Sequence, residues 1–415
     1  MAANHNHAKY QSRLDYIQQL LVDHLRLPSN DLQQIKITPI QYEPDCPFKY
    51  NNFVYRLVLP GDTLGGPVNV DGGHKLQQPE CVDIPVDALC YINPPIVPRI
   101  FGWGGAGCKH VGWILQELMP GIPIGEAFGG AMSLDQKRGI LAQMAGLLKA
   151  LQDYPLPKSI HGFGGATFND SGAIVSGPMT SVGAGPWDNF EDCYRGRLKV
   201  ALTKADKNPY LQGWHVNGIR ERIDAFIEHG LPSLFSHFPT KQDKSIIHAD
   251  FTPDNLLYDP TTGRITALLD YDFASILHPA YEFFRSFGSN GGQFLGWSGD
   301  TTPQEIAAEA LRNAKLTGQF PSPLPAPGVF DNGPVIDWEV AQAWEEELQK
   351  MDVKRRSNIP GIEKLADIDE ILGALVLWRL CNEDFLSMNQ DEDQRMALRR
   401  MSEEKLVGLL DHLGF

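Results

Sequence analysis

The stretch "SIIHADFTPDNLLYD", residues 245–259, decides how this chain is read. It sets His248, Asn255 and three acids between short runs of β-branched and aliphatic residues. Ile246 and Ile247 read as the end of one strand, His248 to Asp254 as a loop, and "NLLYD" as the next strand. "PTTG" (260–263) turns the chain, and "RITALLDYD" (264–272) returns antiparallel. A turn joining those two outgoing strands brings Asn255 and Asp270 to the same end of the pair. The loop that holds Asp250 faces that end as well.

Three oxygen-bearing side chains, Asp250, Asn255 and Asp270, are thus expected to converge. Two unit charges about 4 Å apart repel by roughly 4 kcal/mol at an effective dielectric near 20, so the cluster calls for a cation. Mg2+ takes hard oxygen ligands and keeps room for water and substrate phosphates. Phosphoryl transfer uses this arrangement: one carboxylate receives or orients the attacking hydroxyl, while an asparagine and a second aspartate hold the metal. His248 is expected to brace the loop by hydrogen bonds.

The rest of the composition narrows the class. At 415 residues the chain exceeds one compact core, and 42% hydrophobic with 21% charged residues describes a globular protein. A net charge of −15 argues against a nucleic-acid partner, because phosphate backbones are held by clustered Lys and Arg. The six cysteines are scattered with no CxxC pair, which fits free thiols in a reducing compartment. The opening "MAANHNHAKYQSRLDY" has no apolar core of a signal peptide, and the longest apolar run, "ILGALVLW", is far short of the ~20 residues that span a bilayer. The expectation is a cytoplasmic protein with no membrane contact.

Outward from the quoted segment, "YQSRLDYIQQLLVDHLRL" (10–27) reads as an amphipathic helix with Leu14, Ile17, Leu20, Leu21, His24 and Leu25 on one stripe. Strands follow in "IKITPIQYEP" and "NNFVYRLVLP", then in "PRIFGWG" and "HVGWILQELM". "SLDQKRGILAQMAGLLKALQDY" (133–154) is a helix opened by a Ser133/Gln136 capping box. "GFGGATFNDSGAIVSGP" reads as a hairpin turning at Asn169–Gly172. Helices are expected near 188–206 and 217–237, and over most of 301–415 apart from "GQFPSPLPAPG". This divides the chain into a strand-rich part, 1–119, and a helical part, 120–415, with a cleft between them suited to a small molecule.

The pattern H-x-D-x(4)-N, an apolar strand and then Asp resembles the aminoglycoside phosphotransferase/choline kinase family, and looks closest to its large fungal branch. "HADFTPDN" and "LLDYD" carry the likeness, supported by "YNNFVYRL", "WILQELMPG", "FGGATFNDSGAIVSGPM" and "DYDFASILHPAYEFFRSF". The resemblance implies an α+β, bilobal protein-kinase-like fold and an ATP- and Mg2+-dependent transfer of phosphate to a small molecule. By that likeness Asp250 is the catalytic base, with His248 beside it, and Asn255 and Asp270 are Mg2+ ligands. It sets Asn51 and Asn52 in the turn over the nucleotide, and backbone around Gln116, Glu117 and Leu118 at the adenine. Asp272 is a further candidate for metal or substrate contact.

Kinases of this fold carry a lysine on the third strand of the small lobe and a glutamate on the next helix. Neither is legible between Leu59 and Pro98, where Lys75 and Glu80 stand in Gly-, Pro- and Asp-rich sequence. A coding-sequence error, a degenerate site, or compensation by Lys75 or Lys49 would each account for the gap. A pseudokinase that binds or scaffolds is therefore the alternative. A third reading is a metal-dependent hydrolase using His248, Asp250, Asp270 and Asp272. "GWGGAG" (102–107) matches a dinucleotide fingerprint, but a strand-like run follows it, so a hairpin turn is expected. Trp103, Trp113 and Trp187 read as core or lobe-interface residues, and the charge run "WEEELQK" (344–350) as a solvated helix face.

Overall fold

The computed structural model describes residues 9–27, 32–40, 53–59, 68–71, 89, 92, 94–105, 112–128, 132–287, 292–299, 301–326, 336–382, 386 and 391–415. Lys49, Asn51, Asn52, Lys75 and Glu80 lie outside the described residues.

Helix α1 (Tyr10–Leu25) lays Ile17, Leu20 and Leu21 on an antiparallel sheet of β1 (Lys36–Pro39), β2 (Val54–Val58), β3 (Val68–Asp71), β4 (Ile100–Gly104) and β5 (Trp113–Glu117). The strand order is β1-β2-β3-β5-β4. Side chains alternate across a strand, so Tyr55 and Leu57 of β2, with Trp113 and Leu115 of β5, face α1 and build a small core of their own. Arg56 of β2 falls on the opposite face, where it pairs with Thr38 and Asn69.

The "GWGGAG" stretch meets its expectation in part: β4 and β5 run antiparallel, and Ala106 and Gly107 lie outside the described residues. The indole of Trp113 lies across Gly104, where an added Cβ would stand 2.4 Å from Nε1, so a larger residue has no room there. Trp103 is not in the core, one of the two places expected for it. It pairs with Ile114, on the face turned away from α1, and is 46% exposed. Strand β3 was not anticipated either. Val68, Asn69, Val70 and Asp71 form it by pairing to β2 on one side and β5 on the other.

Beyond β5 the chain is mainly helical. After β6 (Ile122–Pro123), α2 (Ile124–Phe128) leads to α3 (Leu134–Asp153), whose Ser133/Gln136 capping box forms as expected. Leu141, Met144, Leu148 and Leu151 of α3 are buried in the main core. Strands β7 (Gly165–Phe168) and β8 (Ile174–Gly177) make the anticipated hairpin, with Asn169 Oδ1 accepting the N–H groups of Ser171 and Ala173. Helices α4 (Phe190–Lys207), α5 (Ile219–Ala225) and α6 (Leu231–Ser236) follow. Then come β9 (Ser245–Ile247), β10 (Leu256–Asp259), β11 (Arg264–Leu268), β12 (Ser275–Leu277) and α7 (Ala280–Arg285). The last helices are α8 (Pro303–Thr317), α9 (Trp338–Lys350), α10 (Ile362–Leu375), α11 (Trp378–Cys381) and α12 (Glu392–Leu413). The fold is α+β. Among the described residues no helix is long and apolar enough to cross a membrane.

The run "WEEELQK" is not a solvated face. Glu345 is 3% exposed and accepts hydrogen bonds from Arg355 Nε (2.9 Å), Arg356 Nη2 (2.7 Å) and Ser357 Oγ (2.7 Å). Burial pushes its carboxyl up, but the charge and hydrogen bonds of Arg356 prevail and hold it below the usual glutamate range. Arg356 is itself 1% exposed, so each charge depends on the other. Removing one partner of such a pair typically costs about 3–5 kcal/mol. Glu345→Ala is expected to lower the urea unfolding free energy by about that much; a loss within about 0.5 kcal/mol, usual for surface substitutions, would contradict it.

Candidate active site

The loop after β9 is built on a left-handed turn. Ala249 has φ 62°, a conformation that a non-glycine residue holds only at a cost of about 1–3 kcal/mol unless its surroundings fix it. Here they do. Glu282 of α7, 1% exposed, accepts the His248 N–H at 2.7 Å on Oε2 and the Ala249 N–H at 3.0 Å on Oε1. The Ser286 hydroxyl bonds Glu282 Oε1, and Ser286 Oγ accepts the Phe251 N–H at 2.9 Å. Backbone on both sides of Asp250 is therefore pinned to one helical face.

His248 braces that loop. Its Nε2 lies 2.9 Å from the Leu269 carbonyl oxygen, which can only accept, so Nε2 carries the proton and Nδ1 receives the Asp250 N–H at 3.3 Å. Burial lowers its pKa to about 4, with the Leu269 bond opposing, so the ring is neutral. It ties the loop to the end of β11.

Asn255, which ends the short turn just before β10, donates Nδ2 to the Asp250 carbonyl oxygen at 2.9 Å and to Asp250 Oδ2 at 2.8 Å. That turns its one side-chain acceptor, Oδ1, away from Asp250. The Leu269 N–H donates to the Asn255 carbonyl oxygen at 2.9 Å, which sets Asp270 at the same end of the hairpin. Asp270 is the second left-handed residue here, with φ 61°. It is open to solvent by area yet crowded by surrounding protein.

The electrostatics reflect the same crowding. Asp250 is raised above the usual carboxylate range, by burial first, while the Asn255 bond and the Arg285 charge pull it down and Asp254 pushes it up. Burial likewise raises Asp270, with the Asp272 N–H lowering it and the Asp250 charge raising it. Two acids, the charge of one raising the other, beside an amide whose nitrogen is spent on Asp250, offer hard-oxygen donors that fit a divalent cation. Among the described residues no group of three or more His, Cys, Asp or Glu could hold a metal by itself. The hydrolase reading fails on His248, whose ring is buried and whose two nitrogens are both engaged.

Of the residues expected at the adenine, Gln116 and Glu117 end β5 and Leu118 follows it. The Glu117 N–H is already taken by the Arg99 carbonyl oxygen at 2.8 Å, so Glu117 offers no amide to a ligand. Asp272 contributes its N–H to Asp270 Oδ1 at 3.3 Å. Glu282, Ser286 and Arg285 were missed. Their signal is Glu282 and Ser286 four residues apart in the otherwise apolar "HPAYEFFRSF", a spacing that puts both on one helical face.

With this geometry in hand, comparison with known proteins gives one family. The model of the phosphotransferase enzyme family APH matches residues 89–321, more than half of the chain. The chain belongs to that family. Among solved structures, a proposed aminoglycoside phosphotransferase from Ralstonia eutropha JMP134 aligns with a TM-score of 0.51 at 12% identity, covering 96% of this chain and 98% of that one. An ethanolamine kinase from Plasmodium vivax aligns with a TM-score of 0.46 at 10% identity, covering 96% and 88%. A search of curated proteins returned no match. At 12% identity the Ralstonia structure speaks for the fold alone.

A hydrogen bond to a charged group contributes about 1.5–3 kcal/mol, or roughly 10- to 100-fold if it acts wholly on the reaction barrier. Glu282→Gln, which turns a donor toward one backbone N–H, is expected to cut turnover by that factor. It also has a signature in pH. Burial raises Glu282 to about 7 against the bonds from Ser286, His248 and Ala249, and the Asp250 charge adds to the rise. Its contribution to stability is then complete below its ordinary value of 4.5 and is lost as pH climbs through about 7. Glu282→Gln should flatten that decline in urea titrations; an unchanged slope would count against the assignment.

Proposed function

We propose that this chain is an ATP-dependent, Mg2+-assisted phosphotransferase that moves the γ-phosphate of ATP to a hydroxyl or amine of a small molecule. The observation that carries this reading is Asn255 bonded to both the carbonyl and the carboxylate of Asp250, at the hairpin end that also bears Asp270. Asp250 receives or orients the acceptor proton. Asp270 and Asn255 Oδ1 would hold the metal, which when bound neutralises phosphate charge. Backbone at Leu118 is the candidate for the adenine. The strand-rich part, 1–119, and the helical part, 120–415, are read as the two lobes around the cleft. The net charge of −15 and the scattered cysteines support a cytoplasmic enzyme without a nucleic-acid partner.

β3 carries Val68, Asn69, Val70 and Asp71 and no lysine. The cation that neutralises the nucleotide phosphates must then come from elsewhere. Arg56 is the described residue we assign to that duty: it is exposed, lies on the sheet face away from α1, and stands beside Asn69 in register. Arg56→Ala is expected to weaken Mg-ATP binding about tenfold or more in a thermal-shift titration. Unchanged affinity would return the duty to a residue such as Lys75 or Lys49.

General-base catalysis contributes about 10²–10⁴-fold, so Asp250→Asn should lose turnover by that factor and keep most nucleotide affinity. Equal loss of both would contradict its role. The lysine-free β3 is also the observation that favours a second reading, a pseudokinase with a vestigial site. A ligand that binds only the folded state at about 100 times its Kd adds about 2.7 kcal/mol of stability. An active enzyme shows both that Mg-ATP shift and ATP turnover, and a pseudokinase shows no turnover.

A further inference from the structure

A cavity of about 200 Å³ opens beside the loop that carries Asp250. One side is the loop itself, Thr252, Pro253 and Asp254. The other walls are apolar and come from separate parts of the fold: Phe128 of α2, Leu141 and Met144 of α3, Val340 and Trp344 of α9, and Phe287 just after α7. The cavity is partly open to solvent, so the apolar side chains around it stay incompletely covered until something fills it. Its place ties it to the chemistry. The Thr252 N–H donates to the Asp250 carbonyl oxygen at 2.8 Å, and the Asp254 charge reaches Asp250. At Gly125 an added Cβ would stand 1.8 Å from Asp254 Oδ1, so the missing side chain there lets α2 close against the carboxylate.

Size and lining narrow the ligand. An apolar cavity of roughly 150 Å³ accepts benzene, so this one has room for a single ring and a short arm. Polar partners are few, Thr252, the Asp254 carboxylate and the unpartnered Trp344 Nε1, so a polyol or multiply charged acceptor would bury most of its polar groups against apolar walls, which is unfavourable, whereas one hydroxyl-bearing ring is not. Resting on the phosphotransferase reading, we infer that this cavity is the acceptor pocket and takes the ring of a monocyclic aromatic or alicyclic alcohol. The hydroxyl-bearing arm leaves past Thr252 toward Asp250. The acceptor oxygen forms a bond to the γ-phosphorus of ATP, the bond from that phosphorus to the β–γ bridging oxygen breaks, ADP departs, and the acceptor proton passes to Asp250.

The test uses the full chain, benzyl alcohol as probe and myo-inositol as the polar control. Saturation-transfer NMR is expected to show benzyl alcohol bound and inositol not, and Val340→Phe, which fills the cavity, to weaken benzyl alcohol at least tenfold. Val340→Ala, which enlarges it, should admit 2-naphthalenemethanol that the parent chain excludes. With labelled ATP and Mg2+ the parent chain should yield benzyl phosphate. Absent binding, binding indifferent to Val340→Phe, or no gain from Val340→Ala overturns the pocket. If Mg-ATP binds and benzyl alcohol binds yet no benzyl phosphate forms, the acceptor assignment falls while the phosphotransferase reading stands. If Mg-ATP itself fails to bind, that reading falls first and takes the acceptor role with it.

Discussion

A single buried carboxylate sets the geometry on which the rest depends. Glu282 sits under the loop after β9 and takes two successive backbone N–H groups that a loop would otherwise turn to water. Those bonds make a left-handed Ala249 tolerable, and that turn is what delivers Asp250 to Asn255. Buried backbone donors must find acceptors, and a helix-borne carboxylate is a rigid one. The loop that carries Asp250 is thus fixed from beneath by α7 and from the side by His248.

Around this anchor the two acids, Asp250 and Asp270, are both raised above the usual carboxylate range. Perturbed carboxylates close together are common at functional sites, and the structural reason is visible here. Burial raises both, the Asn255 amide restrains one, and their mutual repulsion remains for a cation to relieve. The family match over residues 89–321 falls on the part of the chain that carries this arrangement. The sheet with α1 lies largely before it, and there the chain departs from the kinase pattern at β3.

Much of the site was legible because strand periodicity and turn chemistry are local. The "PTTG" turn between two alternating runs required β10 and β11 to pair, and with that Asn255 and Asp270 had to share an end. The capping box at Ser133 and the Asn169 turn are likewise local and formed as read. What stayed hidden depends on distant partners. Four residues, "VNVD", become a strand only because β2 and β5 flank them. Glu345 reads as a surface acid until Arg355 and Arg356 fold back on it. Glu282 is one acid in an apolar helix, and nothing nearby in sequence announces that its backbone partners lie 33 and 34 residues earlier. Trp103 misled because a tryptophan suggests core, whereas the strand's alternation turns it outward.

The most direct test of the central claim is a crystal structure of the chain with Mg2+ and the β,γ-imido analogue of ATP. The expected result is a metal ligated by the Asp270 carboxylate and Asn255 Oδ1, with the terminal phosphate facing Asp250. A nucleotide bound away from these three residues, or a metal that ignores them, would contradict it.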